Sequence, residues 1–329
     1  MNEISNVTRK LLVLSMLKGV GPSTLRKLAN LQNFTQLSQE ELAFHSPLLL
    51  KALKIDGAWD KALQASEKQI VEAKNFDASI LSPSDDGYPS LLSATRDDPF
   101  LIFVRGKFSK NPEKSIAIIG TREPTKHGEL TVQRITQFFS EKQWSVVSGL
   151  ALGCDAIAHR TALECNGHTV AVLAHGLQTV APTQHSKLAN KILTSGGALV
   201  SEYCFGKKAQ PQQFVKRDRT QAGLAQGVVM IQSDLKGGSL HASRASLNYN
   251  RWLIVPYPTQ LDRNNNESKV QANITIADGK EDEKTKLLNC SVASLKKIII
   301  LMGKEDYPDM LNKLLTSVPC SVSAQCSLL

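Results

Sequence analysis

No apolar run in the 329 residues approaches the roughly 18 that a membrane-spanning helix needs. The opening stretch, MNEISNVTRKLLVLSMLKGVG, lacks the uninterrupted apolar core and small-residue cleavage site of a signal peptide, so the chain reads as cytoplasmic. The six cysteines, Cys154, Cys165, Cys204, Cys290, Cys320 and Cys326, form no Cys-x-x-Cys pair and have no histidine at zinc-finger spacing. Neither a disulfide framework nor a structural metal site is indicated, and reduced thiols are expected. Acids are also short: 30 Asp and Glu face 39 Lys and Arg, a net charge of +9. Such an excess favours polyanionic partners, nucleic acid first, without specifying a fold. Aromatic residues make up only 5% of the chain, which limits the surface on which bases can stack. What remains, 42% apolar and 21% charged, is ordinary globular composition, and the length suits about two packed domains.

Leu11, Leu12, Leu14 and Leu17, then Leu25 and Leu28, then Leu49, Leu50 and Leu53 recur at helical spacing and predict a small helical module over residues 1–80. Within it Lys18-Gly19-Val20-Gly21-Pro22 has the glycine turn of a helix-hairpin-helix. Such a turn frees backbone N–H groups that hold a phosphate, or it simply packs one helix on the next. Within residues 81–280 a connecting segment with the short apolar strand Leu101–Val104 comes first, and from Ser115 to Pro258 six short apolar runs alternate with helical patterns: Ile116–Ile119, Ser145–Ser148, Thr169–Leu173, Leu199–Ser201, Val228–Ile231 and Leu253–Val255. This alternation predicts an α/β fold with a doubly wound, mostly parallel Rossmann-like sheet, whose ligands sit beyond the carboxyl ends of the strands. Residues 281–329 read as a short helical C-terminal segment, with helices from Ser294 to Leu315 and no clear period from Pro319 onward.

The strand exits carry the chemistry. After the run Ile116–Ile119 come Gly120, Thr121, Arg122 and Lys126; after Ser145–Ser148 come Ser148, Gly149, Asp155 and His159. Glycine allows close backbone approach, a helix start supplies N–H donors, and arginine pairs phosphate bidentately. Asp155 caps its helix, braces a cation or acts as an acid or base. Later exits offer His175, Lys187, the pair Arg217 and Arg219, then Gly238, Ser239 and Arg244. Neither GxGxxG nor a Walker sequence is present, so spacing implies no nucleotide cofactor and none is expected.

Seven segments in order, among them Gly87-Tyr88-Pro89, IAIIGTR at 116–122, SGLALGCDAIAH at 148–159, TVAVLAHGL at 169–177 and FVKRDRTQAGL at 214–224, make the chain resemble the DNA-processing protein A family (DprA, also called Smf). The resemblance implies a Rossmann-like domain behind a SAM-like helical module. It further implies a non-enzymatic, dimeric single-stranded DNA binder that protects incoming strands in natural transformation and recombination and helps load the RecA recombinase. The family's Gly-Ser/Thr-Arg arginine falls on Arg122, its pocket lysine on Lys187, and its Arg-Asn-Arg motif on Arg217, Asp218 and Arg219.

The chain departs from that pattern at Ala174, His175, Gln178, Ala181, His185 and Asp218. Asp218 between two arginines either weakens phosphate attraction or orients the arginines by pairing. Stacking would come from Tyr203, Tyr257 or His175. The rival reading is a nucleotide-binding or nucleotide N-glycosidase-type enzyme or sensor. Such enzymes typically carry Gly-Gly-x-Gly-Thr followed by a glutamate, whereas Gly237-Gly238-Ser239-Leu240-His241 has no such glutamate. A third reading is an assembly scaffold whose basic bias serves solubility alone.

Overall fold

The structure, a computed structural model, describes residues 3–316, so the expectations for Cys320, Cys326 and the tail from Pro319 lie outside the described residues. Serines punctuate the N-terminal helices. Ser5 accepts from the Thr8 N–H, Ser46 caps the helix Pro47–Leu53, and Ser38 with Glu41 closes a capping box on Gln39–Phe44. The glycine turn forms as expected between Asn6–Ser15 and Pro22–Ala29, with Gly19 at φ +86° and Pro22 in the first helical turn after Gly21. The hairpin's Arg26 pairs with the buried Asp98 and lies 5.1 Å over the Phe100 ring. Here the motif therefore packs one unit against the next. Leu11, Leu14, Leu28 and Leu49 share one buried cluster with Phe103, Leu173, Leu199 and Phe205, so the helical module covers part of a sheet face.

Nine strands form one sheet among the described residues: β1 (Ala78–Leu81), β2 (Ile102–Gly106), β3 (Ser115–Ile119), β4 (Ser145–Ser148), β5 (Thr169–Leu173), β6 (Ala198–Ser201), β7 (Gly227–Met230), β8 (Trp252–Pro256) and β9 (Ile298–Leu301). Their order is β1-β2-β6-β5-β4-β3-β7-β8-β9. From β6 to β9 every pairing is parallel, while β1 and β2 run antiparallel at the other edge. Every residue of β3 to β7 is buried, as parallel strands covered on both faces require. On β3, Ile116 and Ile118 pack beneath the helix Lys126–Glu141 through Ile135 and Phe139, whereas Ala117 and Ile119 face Ala222 and Leu240 on the opposite side.

The α/β doubly wound fold is as expected; its edges are not. Ile298–Leu301, expected inside a helical segment, is β9, pairing Leu253 with Ile298 and Pro256 with Leu301. Its isoleucine run has no helical period, and partnership with β8 decides its conformation. Residues 281–316 thus include a strand of the sheet. The chain winds from β3 out to β6, then returns to lay β7 on the other side of β3. Between β3 and β7 the strand order reverses, which in open α/β sheets is where a crevice opens for ligands.

Candidate functional site

A cleft of about 590 Å³ opens at that reversal, lined by Gly120, Thr121 and Arg122 after β3, by Ser233, Asp234, Gly237, Gly238, Ser239, His241 and Ala242 after β7, and by one side of the helix Pro211–Gly223. The β3 exit is fixed by its neighbours. The Thr121 N–H donates to the Gln232 carbonyl at 2.9 Å, and the Cys154 N–H to the Thr121 carbonyl at 3.2 Å. Gln232 also exchanges hydrogen bonds with Thr125, its Oε1 accepting from the amide at 3.0 Å and its Nε2 donating to Oγ1 at 2.9 Å. Gly153 has φ +71°, and a Cβ there would lie 2.4 Å from the Arg122 carbonyl oxygen, so only glycine brings the start of the helix Cys154–Glu164 this close. With its backbone clamped in this way, Arg122 keeps an exposed side chain free of ion pairs among the described residues. Across the cleft the helix Ser239–Asn248 starts after Gly238 with no side-chain cap; the Leu240 and His241 N–H groups donate to the Gly237 and Gly238 carbonyls at 3.1 and 3.0 Å, which leaves the Ser239 N–H and the positive dipole end open to an anion.

Arg217 plays a different part. It is 4% exposed, and its Nη1 donates to the Gly149 carbonyl at 2.6 Å and the Val172 carbonyl at 2.5 Å while Nε donates to Asp218 Oδ1 at 3.0 Å. It thereby ties the helix Pro211–Gly223 to the ends of β4 and β5. The expectation of Arg217 as a free phosphate contact is corrected: its Nε and Nη1 are spent on the protein, and a Cβ at Gly149 would lie 2.1 Å from its Nη1. Asp155 is a brace, its Oδ2 accepting from the Gly149 and Ala151 amides at 3.1 and 3.3 Å. Burial raises the pKa of Asp155, against the pull of Arg217 and the two amides. Asp218 rises to about 6 for the same first reason, with Arg217 and Arg122 opposing the shift and Asp155 adding to it.

Several other expected contacts turn away from the cleft. Arg219 pairs with Glu202 at 2.7 Å and donates to the Asp97 carbonyl, because one residue along a helix rotates the side chain to another face. Arg244 is spent on the Leu287 carbonyl, with Nε at 3.1 and Nη2 at 2.8 Å. His159 is fully buried, its ring reaching Thr169 at the start of β5. Thr169 Oγ1 already donates to the Val146 carbonyl, so His159 Nδ1 is the donor in their 2.7 Å bond. Burial, followed by the nearby His185 and Arg217, pushes its pKa down to about 3, so it is neutral at physiological pH. His175 is 1% exposed, with Nδ1 donating to the Gly176 carbonyl at 2.9 Å, and Ser148 is buried with its hydroxyl on the Ile118 carbonyl. None of these three is a surface for a strand. Lys126 and Lys187 are exposed in helical turns that follow β3 and β5, outside the cleft lining but on the same edge of the sheet.

Of the fourteen expected contacts the cleft therefore gathers Gly120, Thr121, Arg122, Gly238 and Ser239, with Arg217 in its wall. Sequence reasoning passed over Phe214, Gln221 and His241, which also line it. Phe214, Asp218 and Gln221 follow a four-then-three spacing that marks one helix face, a signal that was available. No group of three or more metal-ligating side chains and no helix able to cross a membrane occurs among the described residues.

Comparison with known proteins agrees with this geometry. The Smf protein of Escherichia coli is 36% identical over 172 residues, covering 52% of this chain and 46% of the relative. The DNA processing protein DprA of Bacillus subtilis is 33% identical over 169 residues, covering 51% of this chain and 57% of its own length. The chain thus spans about half the length of these curated relatives. The solved structure of DprA from Streptococcus pneumoniae superposes with TM-score 0.66 at 24% identity, over 94% of this chain and 98% of the other, and so shares the fold. A family model described as DNA recombination-mediator protein A matches residues 79–283, a stretch that holds every strand of the sheet from β2 to β8 and the whole cleft, and the chain belongs to that family.

Proposed function

We propose that the protein binds single-stranded DNA without a chemical step, its phosphates anchored between Arg122 and the first turn of the helix Ser239–Asn248. In this reading it acts as a homodimer that shields incoming strands during natural transformation and helps load the RecA recombinase onto them. The observation that carries the binding is Arg122, exposed and unpaired among the described residues, facing an uncapped helix start across a cleft at the strand reversal. Lys126 and Lys187, exposed on the same sheet edge, extend a cationic path that a sequence-independent ligand needs. A solved relative from Helicobacter pylori, TM-score 0.56 at 24% identity, is described by its single-stranded DNA binding mode, which supports the same ligand class here. Binding is favoured over nucleotide cleavage because two acids on the cleft wall are held by backbone N–H groups: Asp155 by two amides, and Asp234 by the Lys236 N–H at 2.7 Å.

The test is a salt titration of affinity for single- and double-stranded oligonucleotides, with Arg122→Glu beside the wild type. We expect strand-selective, salt-sensitive binding, weakened about tenfold or more in the variant, with the salt slope reduced by about one phosphate contact. Equal affinity in wild type and variant overturns the anchor. RecA loading is read separately, as faster filament growth on strands coated with the protein.

A further inference from the structure

The floor of the cleft carries acceptors that no phosphate can use. Asp218 lines it with a side chain 15% exposed, and Oδ1 takes both hydrogen bonds that reach the carboxylate, from Arg217 Nε at 3.0 Å and Gln221 Nε2 at 3.1 Å. Oδ2 receives none among the described residues, and Asp218 borders the cleft. One helical turn on, Gln221 is 2% exposed, and its Oε1 has no hydrogen-bond partner among the described residues. Phe214, one turn before Asp218, adds an aromatic wall. An anion site at the mouth, an aromatic wall and unfilled acceptors at the floor together describe the three parts of a nucleotide: phosphate, ring and a hydrogen-bonding edge.

We propose that this cleft admits one extruded base and that Asp218, with Gln221 beside it, selects guanine by accepting hydrogen bonds from its Watson–Crick edge. Guanine is the neutral base that offers two adjacent donors there, the ring N1–H and the exocyclic amine, which match a carboxylate and a neighbouring amide oxygen. Adenine and cytosine set an acceptor nitrogen beside their amine, and thymine sets two carbonyls beside its one N–H. Each of the three points lone pairs at the carboxylate, and an unmade hydrogen bond in a closed site costs more than it does in water. Arg122 is near enough to offset part of the negative charge of Asp218, so one cation serves the backbone phosphate and screens the acid from it. The groups facing Asp218 are Arg217, Asp155 and Arg122. Burial brings its titration to about 6, so selection strengthens as pH rises above that value.

This inference rests on the single-stranded DNA reading and deepens it. The experiment measures affinity for oligothymidylates carrying one central guanine, inosine, adenine or cytosine at pH 7.5, with wild type and Asp218→Asn, and adds direct titration with free dGMP. We expect the guanine oligonucleotide to bind at least about fivefold more tightly than the others. Inosine, lacking the exocyclic amine, should lose most of that margin, and Asp218→Asn should bring the four substituted strands level. Equal affinities in the wild type overturn the proposal while leaving strand binding in place, and so does a guanine margin that persists in Asp218→Asn. The inosine arm needs no variant and stands even where Asp218→Asn folds poorly. No binding of any strand, with dGMP still bound and lost in Asp218→Asn, keeps the guanine edge and overturns the DNA reading; no binding of either probe overturns both.

Discussion

Arg217→Met is expected to destabilise the protein by about 3–5 kcal/mol, read as a lowered urea midpoint at unchanged slope. The guanidinium makes three hydrogen bonds inside the structure and is the cation that offsets the buried Asp155. Without it, the Gly149 and Val172 carbonyls lose their donor and two carboxylates stand close together with only the exposed Arg122 to oppose Asp218. The pairing of burial with several partners is what makes the loss large, since a charge stranded away from water costs far more than an exposed ion pair contributes. Arg122→Met is the contrast: an exposed side chain with no ion pair among the described residues, whose loss leaves stability within about 0.5 kcal/mol while weakening ligand binding. A stability loss below about 1 kcal/mol for Arg217→Met refutes the brace and returns Arg217 to the list of ligand contacts.

Asp218→Asn is expected to stabilise the protein near neutral pH, by about 2 kcal/mol. Two acids, Asp155 and Asp218, share one buried arginine, so the cluster carries one negative charge too many. The folded-state pKa of Asp218 is raised from 3.8 to about 6. The folded protein then holds the proton more tightly than the unfolded chain, and between these two values stability falls as pH rises. Above about pH 6 the full penalty is present; below about pH 4 none is. The asparagine variant should therefore be more stable at pH 7.5 and equal to the wild type at pH 4. His159 works the other way, since burial holds its pKa near 3 and its stabilising effect is lost as pH falls through that value from 6.5. It is present in both proteins and cancels in their difference. Urea midpoints of the pair at the two pH values decide the matter, and a gain of the same size at both would show that Asp218 is not the titrating group.

Much of this architecture was legible in the chain because parallel strands buried on both faces are short, uncharged, β-branched-rich runs, as Ser145–Ser148 and Thr169–Leu173 show by matching their expected bounds. Strands β1 and β9 were not, since Ala78–Leu81 alternates in burial over only four residues and Ile298–Leu301 follows two lysines that extend a helical pattern. Their conformation comes from the neighbour they pair with. At the site, sequence located the loops and the kinds of residue in them. It did not separate Arg122, which stays open, from Arg217 and Arg244, which are spent on carbonyls, because that depends on which helix face meets the sheet. His159 and His175 stood at the right strand exits, yet their side chains fill the interior behind the loops.

The pairing of β3 with β7 joins Ile116 to Gly227, with three strands and four helices threaded between them in the chain. Closing so long a loop makes this junction costly to form early, and it is expected among the last contacts made on folding. The two walls of the cleft come from opposite sides of that junction, so the cleft has no local precursor and no isolated half of the sheet can possess it. A ligand held across it engages only molecules that have finished folding and draws the population toward them. Binding and completion of the fold are in this protein one thermodynamic event, and occupancy of the cleft should slow unfolding at the same seam where the chain was last to close.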